Sequence, residues 1–380
     1  MNNVNQSKSH RSCAERAGWL VLCIVLIAFA VLWMAVIKCH YDYHNIPADY
    51  LIGNKPACVT ALSGAGGKSA SDGKEIEFPF SFLVVGDTRM GEISEALMQM
   101  GVESGNHKFM IILGDFVHRP TLGNHNSFLT EMTTELKLPI PVFLVAGNHD
   151  ISYTQPLHAK GWAKNPQMTP EMYESLYGPR NFDFVYNNCL FIIFEVDKRN
   201  PAAYIDYLHT TLSQKGLNKN HIFVFTHIPP SGLVDYIRTS FAYQDKFLAL
   251  LEKYNVTACF FGDYHAYWRG VRNGVTYIVS GGGGARLRPK GFYHILKITV
   301  DKDKIFEGII YTSAKSSLEE WFEEIIFTKI LPPIEDSVWI IYFVFIILIL
   351  CLGYALIKLI KCLNKQKPNN YADITVNDKR

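Results

Sequence analysis

Five short polar stretches, each closing an apolar run, constrain this chain more than any other feature. Gly86-Asp87-Thr88-Arg89 follows the run 82–85, Gly114-Asp115 follows 109–113, and Gly147-Asn148-His149-Asp150 follows 142–146. Farther on, His227-Ile228-Pro229 follows 222–226, and Gly262-Asp263-Tyr264-His265 follows 258–261. Short apolar runs bounded by Gly and polar residues read as buried strands. Residues just past strand carboxyl ends gather along one edge of an α/β sheet, where ligands bind. Five such loops deliver Asp, Asp, Asn-His-Asp, His and Asp-x-His to one edge, a hard donor set suited to divalent metals. Taken alone, Gly-Asp is a common turn, and a histidine before proline is commonly a core or capping residue. Their joint order carries the inference.

The intervening pattern fits an α/β fold. Helical spacing predicts helices over 93–103, 127–136, 170–177, 203–214 and 241–254. Residues 182–186 and 190–196 read as a hairpin about Asn187-Asn188. Strand 275–279 enters the glycine run 281–284, and 294–300 with 305–310 close the sheet. The stretch 150–180 is a long insertion with one short helix, a candidate lid or substrate wall.

The ordered set of motifs resembles the calcineurin-like metallophosphoesterase superfamily over roughly residues 80–300. The resemblance implies a sandwich of mixed β-sheets flanked by helices, and hydrolysis of a phosphate mono- or diester at two divalent ions. By the family's pattern Asp87 binds the first metal, Asp115 bridges both, Asn148 and His227 serve the second, and His265 serves the first. A metal-bridging hydroxide would attack phosphorus, and His149, oriented by Asp150, would protonate the leaving oxygen. A glycine-rich turn after the last metal motif supports the site wall in many members. That packing role is favoured here over a phosphate cradle, since no clear helix follows 281–284.

Two positions depart from the pattern. The family's Asp-x-His is Asp87-Thr88-Arg89 here, and its Gly-His-x-His is Gly262-Asp263-Tyr264-His265. A guanidinium cannot ligate a cation, so the first metal loses a ligand. Either His118 replaces it, lying three residues past Asp115 where purple acid phosphatases place a ligand tyrosine, or Arg89 holds the substrate phosphate. His118 reads equally well as a loop histidine. Asp263 brings a carboxylate to the second metal, which favours Mn, Mg or Fe over an all-imidazole zinc preference; a Mn or Fe centre is expected, with Zn or Mg as the alternatives. One swap adds a positive charge and the other a negative one, so the formal charge of the cluster is unchanged.

Outside the domain, residues 17–37 and 337–357 are apolar for about twenty residues each, long enough as helices to cross a hydrocarbon core of roughly 30 Å. No small-x-small cleavage site follows the first block in Lys38-Cys39-His40-Tyr41, which favours an uncleaved anchor over a signal peptide. Lys8, Arg11 and Arg16 precede the first block, and Lys358, Lys361, Lys365 and Lys367 follow the second. The inner flanks carry Asp42, Asp49, Glu335 and Asp336. This asymmetry predicts an integral membrane protein with cytoplasmic termini and a periplasmic, lumenal or extracellular domain. The expected division is a cytoplasmic tail (1–16), a transmembrane helix (17–37), a linker (38–77) and a metallophosphoesterase domain (78–315). A membrane-proximal segment (316–336), a second transmembrane helix (337–357) and a cytoplasmic tail (358–380) complete it.

Net charge is +2, so no global charge argues for nucleic acid. The eight cysteines show no disulfide framework; Cys189 and Cys259 read as buried strand thiols, and a Cys39–Cys58 bridge stays open. Near the second apolar block, Trp321, Phe322, Ile325 and Ile326 oppose Glu319, Glu320, Glu323 and Glu324, as in an interfacial helix or one packed on the domain. The leading expectation is a membrane-anchored, metal-dependent phosphoesterase acting on a phosphoester substrate, lipid-linked substrates included. The tyrosine-tryptophan-arginine stretch at Tyr267 and the pair Arg286, Arg288 could grip a head group or be solvated rim. A second expectation is a module that binds a metal or phosphorylated ligand without turnover, for which Arg89 and Asp263 speak.

Overall fold

The computed structural model describes residues 2–44, 78–153, 167–197, 199–233, 242–314, 318–330 and 338–364. The chain divides into two compact units, 1–40 with 334–380, and 41–333. Its elements begin with α1 (Asn2–His44), β1 (Phe80–Val85), α2 (Glu92–Glu103), β2 (Met110–Ile112), α3 (Leu122–Thr130) and β3 (Val142–Leu144). Next come α4 (Pro170–Tyr177), β4 (Phe182–Tyr186), β5 (Cys189–Ile193), α5 (Pro201–Lys215), β6 (His221–Phe225) and α6 (Gln244–Lys253). The rest are β7 (Ala258–Phe261), β8 (Tyr267–Arg272), β9 (Val275–Ser280), β10 (Tyr293–Val300), β11 (Ile305–Thr312), α7 (Leu318–Ile325) and α8 (Val338–Asn364).

The larger unit is a sandwich of two mixed sheets flanked by helices, the architecture that the resemblance implies. One sheet runs β11-β10-β1-β2-β3 and the other β4-β5-β6-β7-β9-β8. In the first, β1, β2 and β3 are parallel; in the second, β5, β6, β7 and β9 are parallel. Parallel strands are covered on both faces, so their sequences are continuously apolar. The alternation of side chains then divides each strand between two cores. Cys189, Phe191 and Ile193 of β5, Phe223 and Phe225 of β6, and Ala258 and Phe260 of β7 face the space between the sheets. Leu190, Ile192, Ile222, Val224, Cys259 and Phe261 point the other way, into a cluster with Tyr204, Leu208 and Leu212 of α5 and Phe247 and Leu251 of α6. Between the sheets Phe82 is fully buried, with ring centroids 5.3 Å from Phe109, 5.4 Å from Phe191 and 5.5 Å from Phe223. Both Cys189 and Cys259 are buried free thiols.

Local chemistry sets the boundaries. Thr121 caps α3 by accepting from the Asn124 amide, so this helix starts at Leu122, five residues before the 127 start of the sequence expectation, and winds on as a π-helix over Glu131–Leu136. Thr169 caps α4 ahead of Pro170, matching the expected span. Asn187 and Asn188, at φ 45° and 53°, turn the β4–β5 hairpin. Strand β8 was not expected; it pairs antiparallel with β9 across Asn273-Gly274, another turn pair with positive φ. Tyr267 and Arg269 are tied to Glu307 of β11 at 2.9 and 3.1 Å, which argues for a structural rather than a head-group role.

In the smaller unit, Ala14–Lys38 and Trp339–Asn364 are long and apolar enough to cross a membrane, and only 17% and 11% of their most apolar windows is buried. Trp33 Nε1 donates to the Ile341 carbonyl (2.7 Å), and the Trp19 and Tyr354 rings meet edge to face (6.1 Å). The two contacts run in opposite senses along the helices, so the pair is antiparallel. The proposed Cys39–Cys58 bridge and the side chains of Glu319, Glu320, Glu323 and Glu324 lie outside the described residues.

Candidate metal centre

The loops after β1, β2, β3, β6 and β7 converge, and close backbone approach is what lets them. Gly114 takes φ +89°, and a Cβ there would stand 2.8 Å from both the Gly147 nitrogen and His227 Nδ1. At Gly147 a Cβ would fall 2.4 Å from Asp115 Oδ1. Asp87, Arg89, Asp115 and Asp263 all hold left-handed backbone, at φ 57°, 50°, 52° and 62°. Each such residue costs on the order of 1–3 kcal/mol, and a cluster of them marks a place where geometry serves something other than stability.

One donor group forms around Asp87. A ligand atom from each of Asp87, Asp115 and His265 lies within 4.8 Å of the others. Asp87 is fully buried; its Oδ2 accepts from the Asp263 amide (2.9 Å), and its Oδ1 lies 3.3 Å from His265 Nε2 without a well-directed hydrogen bond. His265 Nδ1 is turned to the Arg286 carbonyl (2.8 Å). Arg89 Nη2 bonds Asp115 Oδ2 at 3.1 Å.

A second donor group surrounds His227. Its Nδ1 is held by the Leu113 carbonyl at 2.7 Å. Nε2 consequently faces three oxygens: Asn148 Oδ1 at 3.1 Å, Asp115 Oδ1 at 3.3 Å and Asp263 Oδ1 at 3.8 Å.

The electrostatics fit a cation. Burial pushes the Asp87 carboxyl up, against His265 and His227. Asp115 is equally desolvated, yet His227, His149 and Arg89 hold it below the usual range. Burial would lower His227, but Asp115, Asp87, Asp263 and the Leu113 carbonyl raise it to about 9. Burial likewise opposes, and Asp87 produces, the upward shift at His265. Carboxylates crowd imidazole nitrogens whose other ring nitrogen is already committed, and hard oxygen donors with imidazole suit a divalent ion.

His149 and Asp150 do different work from the expected pairing. Asp150 does not hold the His149 ring. Its buried carboxylate accepts from the amides of Gly147 (2.7 Å), Asp115 (2.8 Å), Phe116 (3.0 Å) and Val117 (3.3 Å), locking the loops after β2 and β3 together. The His149 ring is oriented by the His118 carbonyl, 2.8 Å from Nδ1, while its amide donates to Asp115 Oδ1 (2.8 Å). His149 Nε2 lies 3.8 Å from Asp115 Oδ2 with the side chain 28% exposed. Burial and Arg89 draw its pKa down, against Asp115. The His118 ring is not part of the Asp87 trio; burial and the Arg89 charge lower its pKa to about 3. Sequence reasoning missed His125, buried between Tyr177 Oη (2.9 Å) and the Asp150 carbonyl (2.8 Å); mid-helix, it carries no motif. The glycine run packs as expected: Gly283 donates to Gly86 and Ala285 to Asp87, each at 2.8 Å.

Residues 80–267, spanning every one of these donors, match the family described as calcineurin-like phosphoesterase. This segment belongs to that family. Membership implies divalent metal binding and is consistent with phosphoester hydrolysis. No curated protein matches the sequence. Among solved structures the chain is similar to a purple acid phosphatase from yellow lupin (Lupinus luteus) seeds, at 15% identity and a TM-score of 0.49, over 63% of this chain and 52% of that one. It thus spans about half the lupin protein's length. It is also similar to a dimetal phosphatase from Danio rerio (12% identity, TM-score 0.41, 61% of this chain and 99% of that one). A third likeness is to GAP50, the anchor in the inner membrane complex of Plasmodium (14% identity, TM-score 0.41, 66% and 94% covered).

Proposed function

We propose that the chain is a membrane-anchored, metal-dependent phosphoesterase that cleaves a phosphate mono- or diester. The observation that carries this reading is the juxtaposition of two donor groups with a partly exposed His149 whose Nδ1 is already committed. When bound, divalent metal supplies Lewis-acid activation of water and screens the phosphate oxygens. Asp87, Asp115 and His265 would hold it on one side, and Asn148, His227, Asp263 and Asp115 on the other. His149, as imidazolium, carries its free proton on Nε2 and delivers it to the leaving oxygen. Asp150 acts on the loops rather than on the reaction, and the His118 carbonyl aims the acid. Arg89, held at Asp115, keeps that carboxylate ionised.

The antiparallel pairing of α1 and α8 supports both termini lying on one side, and the Lys and Arg flanks favour the cytoplasm. The domain at 78–315 then works outside, on a substrate near the bilayer. A non-hydrolytic binding module is the second reading, favoured by the Arg89 contact to the expected bridging carboxylate. The test is hydrolysis of aryl phosphate monoester and diester by the full chain in detergent, with manganese and with chelator. Metal-dependent turnover establishes the enzyme and its ester preference. A folded, metal-loaded protein with no turnover of either ester selects the binding module.

A further inference from the structure

The two donor groups are not equivalent. Asp115 Oδ2 accepts from Arg89 Nη2 at 3.1 Å, while Oδ1 accepts from the His149 amide at 2.8 Å and lies 3.3 Å from His227 Nε2, so Oδ1 is the oxygen turned to the His227 group. On the Arg89 side the chain supplies its own cation, and Asp87 Oδ1 has His265 Nε2 beside it. On the His227 side one imidazole nitrogen faces an amide oxygen and two carboxylate oxygens. A second dication on Asp115 Oδ2 would stand against a permanently charged guanidinium in a pocket where screening is weak.

We propose that this chain binds a single divalent ion, held by Asn148, His227, Asp263 and Asp115 Oδ1, and that the Arg89 guanidinium takes the place of the second ion. This rests on the metal-dependent reading above and revises its stoichiometry. Arg89 is thereby a positioning and charge-supplying residue rather than a lost ligand, and Asp263 is its counterpart, since the added carboxylate strengthens the one ion site that remains. The two departures from the family pattern form one device.

The experiment is metal binding, read without activity. Full-length protein is stripped with chelator and titrated with manganese, with stoichiometry from calorimetry and the ion's environment from electron paramagnetic resonance. The expected result is one ion per chain with the spectrum of an isolated manganese. Asp263→Ala and Asn148→Ala are expected to weaken its binding by about ten-fold or more, whereas Asp87→Asn leaves the stoichiometry at one. Arg89→His, which restores the family's ligand, is expected to admit a second ion and a spin-coupled spectrum; Arg89→Gln removes the charge alone and checks for a folding defect. Two coupled ions in the unaltered protein would overturn the proposal while leaving the phosphoesterase reading intact. So would a single ion lost in Asp87→Asn and kept in Asp263→Ala. One isolated ion without turnover of either ester would support it and remove the enzyme reading instead.

Discussion

The aromatic core between the sheets and the polar rim at the strand ends are built from adjoining residues, yet they obey opposite rules. Phe82 and Asp87 are five positions apart in the loop-and-strand unit of β1, and both are fully buried. Phe82 is surrounded by rings from both sheets and gains from every contact. Asp87 is desolvated beside another carboxylate, on left-handed backbone, and its ionised form is disfavoured. The core supplies the stability that the rim spends. Truncation should therefore weaken the first region, whereas removal of charge should strengthen parts of the second.

The largest expected effect is in the core: Phe82→Ala costs about 3–5 kcal/mol of unfolding free energy, measured by denaturant titration. A small cost there would break the contrast. Asp150 sharpens it, being polar and buried like the rim but tied into structure like the core. Asp150→Ala strips the acceptor from four amides and should cost about 3 kcal/mol. Metal binding should fall with it, since the loops bearing Asp115 and Asn148 lose their clamp.

His125 gives the contrast a pH signature. Burial lowers its pKa from 6.5 to about 3 in the folded chain. The unfolded chain accepts the proton first, so stability is full above pH 6.5 and is lost as pH falls toward 3, at up to about 1.4 kcal/mol per pH unit. Unfolding titrations across that window should show the slope, and His125→Gln should flatten it. The smallest effect has the opposite sign. Asp87→Asn keeps an acceptor for the Asp263 amide but relieves the buried charge, and should raise stability by about 0.5–2 kcal/mol in the metal-free protein. A destabilised Asp87→Asn would show that the rim is not strained.

The fold was legible because burial on both faces writes itself into parallel strands as unbroken apolar runs. Residues 258–261 were placed to the residue, and α4 likewise, because Thr169-Pro170 announces a helix start. Strand β8 escaped notice because an exposed edge strand needs no apolar face, although Asn273-Gly274 was the available hairpin signal. At the rim, residue identities could be read in order, but not which atom meets which. Nothing in the sequence says that Asp150 turns to backbone amides or that a carbonyl, from His118, orients His149. Backbone acceptors have no letter of their own. The Arg89 contact to Asp115 depends on backbone at φ 50°, which no local pattern predicts for an arginine.

The central claim is that these residues form a working site with His149 as its acid. The most direct measurement is manganese-dependent hydrolysis of aryl phosphate esters by the full chain, compared between the unaltered protein and His149→Ala, with manganese affinity measured on both. The account predicts turnover in the first and a loss of about 10²–10⁴-fold in the second at unchanged metal affinity. Equal turnover in both would contradict it, as would a metal-loaded, folded protein that cleaves neither ester.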